Sequence, residues 1–228
     1  MSRPHTVPGR PRRIAIFGGT FDPIHIGHIA VARAAQRRFH LEEVHFITSG
    51  RPPHKPRLEL TPFPHRYGMV VLACSENVHF LASLAEAGED YSGLHTFYSI
   101  DTVRCFRRAL RRPDDELFFI LGADAFLHIP TWRNYEALLD SCNFIIASRP
   151  GFRLEALRLV IPPELFGREK PPDRRTIALR RTAVHLMDNV TSHVSATEIR
   201  RRRRHGQSIH GLVPVRVEDY ILRQALYT

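Results

Sequence analysis

The sequence predicts an α/β protein with a mostly parallel sheet and helices on both faces, and three observations lead there. Apolar runs of strand length alternate with stretches of helix length along the chain. The first such run passes through Gly18-Gly19 straight into a helical segment, the strand–turn–helix step from which parallel sheets are built. No internal repeat is present.

In chain order, Ile14-Ala15-Ile16-Phe17 is too short for a helix and is followed by glycine, so 13–17 reads as a buried strand. Gly18 and Gly19 let the backbone turn sharply and approach a ligand closely. Pro23 suits the approach to a helix that starts between Ile24 and Gly27 and continues over 26–39. A strand at 44–48 precedes the proline-stiffened loop 49–56, and a helix over 64–75 follows. Next come a strand at 78–82, a helix over 96–110, a strand at 117–121, a helix over 135–141 and a strand at 144–148. Pro162, Pro163, Pro171 and Pro172 mark 161–175 as a surface excursion without regular structure. A strand at 184–187 and helices over 196–204 and 215–226 complete the chain. This alternation implies right-handed crossovers, hence a Rossmann-like, doubly wound fold. Ligands in such sheets sit beyond the carboxyl ends of the strands, where the Gly18-Gly19 turn lies.

A length of 228 residues fits one domain, with 1–12 as a mobile tail and 13–228 as the folded part. The tail has prolines and arginines but no apolar core, unlike a secretory signal, and no run approaches the ~18 apolar residues of a membrane span. Cys74, Cys105 and Cys142 are widely spaced and odd in number, which suits a reducing cytoplasm. Without a Cys-x-x-Cys pair, no metal site is expected. The net charge of +10 calls for an anionic partner, whether nucleotide, nucleic acid or acidic membrane. Of 33 basic residues only Lys55 and Lys170 are lysines, leaving 31 arginines.

His25 and His28 are i,i+3 neighbours on one helix face, beside a helix amino terminus that supplies N–H groups and partial positive charge. That combination makes a pocket for a phosphate chain. The run Gly18-Gly19-Thr20-Phe21-Asp22-Pro23-Ile24-His25-Ile26-Gly27-His28 resembles the opening motif of nucleotidylyltransferases, specifically bacterial nicotinate-nucleotide adenylyltransferases. The H-x-G-H core alone also occurs in class I aminoacyl-tRNA synthetases, but their lysine-rich second signature is missing here. Val194-Ser195-Ala196-Thr197-Glu198-Ile199-Arg200 resembles the family's I-S-x-T-x-I-R segment, with valine in first place. Ser195 with Glu198 is also a capping box, so Ser195 either caps a helix, binds phosphate, or does both.

The resemblance covers 13–200 and implies transfer of AMP from ATP to nicotinate mononucleotide, with His25, His28, Ser195 and Arg200 as catalytic donors. It places ATP on Gly18, Gly19, Thr20, Phe21, His25, His28, Gly122, Asp124, Ser195, Thr197 and Arg200, with Mg²⁺ entering on the nucleotide. Asp124 would meet ribose hydroxyls, and Trp132 would stack on the pyridine ring unless it is simply packed in the core. Main-chain N–H groups at Trp132 and Arg133 would hold the nicotinate carboxylate. Tyr98 and Ser99 match a Y-T-x-D-T helix start, where Ser99 either binds that carboxylate or caps the helix. Lys55, in Pro53-His54-Lys55, would reach a substrate phosphate. Nicotinamide mononucleotide and phosphopantetheine are the alternative acceptors. A basic nucleic-acid-binding protein on the same fold is the reading of a different class, resting on the run Arg200 to Arg204. Against it, such a run spreads round a helix and has no aromatic platform beside it. Both a monomer and a homo-oligomer remain open.

Overall fold

A computed structural model describes residues 11–50, 60–89, 96–110, 112–169, 171–188, 190 and 193–228. The strands are β1 (Arg13–Gly19), β2 (Glu43–Thr48), β3 (Phe80–Ser83), β4 (Glu116–Gly122), β5 (Asn143–Ala147), β6 (Thr176–Ala178) and β7 (Ala183–Met187). The helices are α1 (Ile26–Phe39), α2 (Phe63–Cys74), α3 (Ser99–Ala109), α4 (Ala123–Leu127), α5 (Tyr135–Leu139), α6 (Leu154–Arg158), α7 (Ala196–Arg204) and α8 (Val215–Arg223). Strand order in the seven-stranded sheet is β3-β2-β1-β4-β5-β7-β6. The pairs β1–β4, β4–β5 and β5–β7 are parallel, and β6–β7 is antiparallel. This is the mostly parallel, Rossmann-like arrangement that the alternation predicts.

Consecutive residues of β1 and β4 are buried, Ile14, Ala15 and Ile16 against Leu117, Phe118 and Phe119, as expected where helices cover both faces of a sheet. On α1 the buried residues Ile29, Ala32 and Ala35 recur every three positions, and the two alanines allow close approach.

Several boundaries move, for local reasons. The third strand begins at Phe80, not at Val78, which is 83% exposed. The Asn77 side chain accepts the His79 N–H at 2.9 Å and its carbonyl accepts the Phe80 N–H at 3.0 Å, so a side-chain turn occupies the expected strand start. Helix α3 starts at Ser99, not at 96, because Tyr98 is still extended (φ −113°, ψ 138°). Helix α8 stops at Arg223, short of 226, and Ala225 (φ 48°) and Tyr227 (φ 63°) adopt left-handed backbone. The excursion 161–175 holds one 3₁₀ turn, Pro163–Leu165, anchored by buried Ile161 and Leu165. The antiparallel edge strand β6 follows it and has no counterpart in the sequence reading. Residues 1–10 of the expected tail and 51–56 of the expected loop lie outside the described residues.

Two compact units make up the chain, one of Met1–Phe17, Ala34–Val44 and Tyr98–Thr191, the other of Gly18–Arg33, His45–Phe97 and Ser192–Thr228. In the first, Phe144 stacks on Phe119 (6.1 Å) and meets the edge of Phe126 (5.6 Å), filling the space between β4, β5 and α4. In the second, α2 packs on β3 and α8 through buried Met69, Val70, Ala73, Val217 and Ile221. Cys74 and Cys142 are buried, Cys105 is exposed, and all three thiols are free.

Candidate active site

The second unit contains the turn between β1 and α1. Its left-handed residue is Phe21 (φ 48°), so the conformational freedom expected of Gly18 and Gly19 is used elsewhere. Gly19 supplies space instead, since a Cβ there would stand 2.8 Å from the Phe21 ring. That ring is buried, edge-on to His28 at 5.1 Å and tilted against Phe46 at 5.8 Å.

His25 sits just ahead of α1, not on its first turn, and its carbonyl accepts from the His28 and Ile29 N–H groups. The two imidazoles nevertheless stack at 3.7 Å. Two of the main-chain donors expected to be open are already engaged. The His25 N–H donates to His28 Nδ1 at 3.2 Å, and the Ile26 N–H donates to the Leu212 carbonyl at 3.0 Å. The first of these bonds fixes a tautomer. A nitrogen that accepts carries no proton, so neutral His28 presents Nε2–H as its donor. Burial keeps it neutral, with neighbouring His25 acting in the same direction, and holds its pKa well below the ordinary imidazole value. Burial also pushes His25 down to about 4. His25 Nδ1 is buried without a hydrogen-bond partner among the described residues, an unusual state for a polar atom outside a binding site.

Helix α7 belongs to the same unit. The Ser195 hydroxyl accepts the Glu198 N–H at 3.2 Å, so it is the N-cap that the sequence predicts. The reciprocal half of the capping box is replaced: the Glu198 carboxylate turns to Arg201 and Arg202, both at 2.8 Å, which hold its pKa at about 2. Two arginines of the basic run are therefore engaged on their own helix. Arg200 points the other way. Its Nη1 donates to the Asp22 carbonyl at 2.6 Å, across 178 residues of sequence, and its Nη2 lies 3.5 Å from the Thr197 hydroxyl. Arg200 thus reaches the histidine turn, with the Thr197 hydroxyl beside its guanidinium and Ser195 at the cap of the same helix.

Three residues in or against this turn carry no role in the sequence reading. Arg66, only 2% exposed, donates to the carbonyls of Thr61 (2.8 Å), Thr20 (2.8 Å), Ser49 (2.7 Å) and Gly50 (3.1 Å). Asp22, 4% exposed, accepts from the Thr61 N–H at 3.2 Å and the Tyr227 hydroxyl at 2.7 Å. A signal for Arg66 does exist, because it falls on the apolar face of α2 with Phe63, Met69, Val70 and Ala73. Asp22 lies within the opening motif, but its residue type alone does not reveal a task there, and nothing local marks Tyr227.

The remaining predicted residues belong to the first unit, apart from Lys55, which lies outside the described residues. Gly122 ends β4 with open space around the place of a Cβ, and exposed Asp124 stands in the first turn of α4. The Arg133 guanidinium lies 4.6 Å over the Tyr98 ring, so two residues expected at one ligand meet each other. Trp132 is half-buried, its ring 6.3 Å from Phe119 at 55°, which leaves indole surface that core packing alone would have covered. Ser99 is not a cap: Tyr98 occupies the cap position, without a side-chain cap bond.

Residues 16–202 match the family model described as cytidylyltransferase-like. The chain is 42% identical over 221 residues to a probable nicotinate-nucleotide adenylyltransferase of Moorella thermoacetica, covering 96% of this chain and 93% of that one. It is 40% identical over 219 residues to a protein of the same name from Citrifermentans bemidjiense, covering 94% and 98%. Among solved structures, the Plasmodium falciparum nicotinic acid mononucleotide adenylyltransferase complexed with NaAD shares the fold, with a TM-score of 0.70. That similarity spans 95% of this chain and 97% of that one at 20% identity.

Proposed function

Because the chain belongs to the nicotinate-nucleotide adenylyltransferase family, we infer that it transfers AMP from ATP to nicotinate mononucleotide, forming nicotinate adenine dinucleotide and pyrophosphate. A phosphate oxygen of the mononucleotide forms a bond to the α-phosphorus of ATP. The bond from that phosphorus to the α,β-bridging oxygen breaks, and pyrophosphate leaves with its electron pair. The attacking phosphate already carries a charge of about −1.5 to −2, so the reaction requires neither a protein nucleophile nor a general base. What remains for the protein is to align two anions that repel each other and to stabilise charge on the leaving group.

The observation that carries this reading is the 2.6 Å bond from Arg200 to the Asp22 carbonyl, which brings the amino end of α7 to the imidazole turn. His28 offers Nε2–H to the phosphates as a neutral donor, Ser195 and Thr197 offer hydroxyls, and Arg200 offers charge. His25 lies stacked on His28 with a buried nitrogen left for a ligand. Gly18, Gly19, Thr20 and Phe21 shape the wall of the phosphate site. Asp124 beside Gly122 takes the ribose; Trp132, Arg133, Tyr98 and Ser99 take the nicotinate ring and its carboxylate; Lys55 takes the acceptor phosphate. Mg²⁺ bound with the nucleotide would offset part of the triphosphate charge. The free thiols support a cytoplasmic setting.

Pyrophosphate release from ATP and Mg²⁺, measured with nicotinate mononucleotide, nicotinamide mononucleotide and phosphopantetheine, tests the reading. The first is expected to be the preferred acceptor, and preference for either of the others reassigns the substrate. His28→Ala is expected to lower turnover by about 10²–10³ while the protein stays folded. Full turnover in that variant removes the imidazole from the mechanism.

A further inference from the structure

We propose that Tyr227 is a positioning residue for adenylyl transfer, its hydroxyl fixing Asp22 so that the Asp22 carbonyl holds Arg200 in place. The inference rests on the adenylyl-transfer reading and extends it to a residue that no motif contains.

Asp22 is buried, and three of its oxygens have assigned donors. Oδ1 accepts from Tyr227 at 2.7 Å, Oδ2 from the Thr61 N–H at 3.2 Å, and the carbonyl from Arg200 Nη1 at 2.6 Å. Arg66 closes the arrangement from behind by bonding both the Thr61 and Thr20 carbonyls, at 2.8 Å each. Asp22 is therefore the junction between the histidine turn, the segment before α2, the helix α7 and the residues after α8. A carboxylate with so little exposure requires its donors, and a neutral phenol is a donor that adds no second cation beside Arg66. Burial and the Asp22 carboxylate both push the Tyr227 phenol up, so it keeps its proton.

The backbone around Tyr227 points the same way. Ala225 and Tyr227 are both left-handed, at φ 48° and 63°, a conformation in which neither residue type is at ease. Such geometry persists where surrounding contacts determine it, and the contact here is the phenol on Asp22, 205 residues away in sequence. If the hydroxyl is removed, Oδ1 loses its donor and only the Thr61 N–H on Oδ2 remains, while Arg200 is already bonded to the same residue. Oδ1 then competes with the phosphates for the Arg200 guanidinium, and the cation moves away from the α-phosphate.

A double-mutant cycle on the full chain tests this, using Tyr227→Phe and Arg200→Lys singly and together, with circular dichroism to verify folding. Tyr227→Phe is expected to lower kcat about tenfold or more and to change KM for nicotinate mononucleotide less than twofold. In the Arg200→Lys background the same substitution is expected to change kcat less than twofold, because its route to the chemistry has been cut. Equal fold-losses in both backgrounds, or unchanged kcat in Tyr227→Phe, overturn the proposal. If the unsubstituted protein releases no pyrophosphate, the adenylyl-transfer reading fails instead. The cycle is then read on ATP dissociation constants by calorimetry, where non-additivity supports the Tyr227–Arg200 link and additivity overturns it.

Discussion

Acidification should destabilise this fold through its buried imidazoles, well before most carboxylates titrate. His25 and His185 are each pushed by burial to about 4, and His28 is lowered in the same direction. For His185, Asp173 pulls upward while Arg38 and Arg13 add to the downward shift. The sign follows from the two states. Between pH 6.5 and about 4 the unfolded chain takes up these protons and the folded chain does not, so stability is complete above pH 6.5 and falls as pH falls. Each tenfold drop in proton affinity corresponds to about 1.4 kcal/mol, so His25 and His185 lose about 3 kcal/mol each across the window. Together that approaches the whole stability of many domains, about 5–15 kcal/mol. Urea unfolding followed by circular dichroism at pH of about 7.5, 6.5, 5.0 and 3.5, a span that encloses both the unfolded and the folded values, measures it. His185→Asn retains a polar atom for the Thr176 hydroxyl, which lies 3.1 Å from Nδ1, and removes the titration. The variant should lose about 3 kcal/mol less than the unsubstituted protein between the end points. An identical pH slope in that variant, or a flat profile in the parent, would refute the argument.

Two further substitutions separate structure from chemistry at the site. Ser195→Ala removes the cap on α7 and should cost about 0.5–2 kcal/mol of stability. If the hydroxyl also contacts phosphate, turnover falls by about 10²–10³ as well, and thermal unfolding beside a pyrophosphate assay distinguishes a cap from a catalytic donor. Gly19→Ala places a methyl 2.8 Å from the Phe21 ring, which must then shift against His28. The expected outcome is about 1–3 kcal/mol of lost stability with reduced turnover, checked by the same two measurements; a fully active, stable variant would show that the ring is free to yield.

The legible parts of the chain are those encoded by neighbours in sequence. Strand β1, helix α1 and the cap at Ser195 follow from an apolar run, a glycine turn and proline leading into a stretch of helix length, and a hydroxyl three residues ahead of an acidic residue. Val78 misleads because its residue type favours strand while the Asn77 side chain closes a turn over it. Edge strand β6 is not legible because three residues beside a proline-rich segment carry too little pattern, and pairing with β7 defines them. Arg66 is easily passed over, although an arginine on an apolar helix face is an anomaly with a meaning: four carbonyls await it.

By itself the sequence determined the class of fold, the succession of most elements and the family motif, with its histidines and its serine–arginine pair. These depend on side-chain period, turn chemistry and residue type, which are local properties. Only the tertiary structure decided that Arg200 closes on Asp22, that the His28 proton sits on Nε2, that both imidazoles are neutral, and that Tyr227 braces the turn. Those outcomes depend on burial and on partners up to 205 residues apart, and desolvation is a property of the packed assembly of neighbours, not of any stretch of chain.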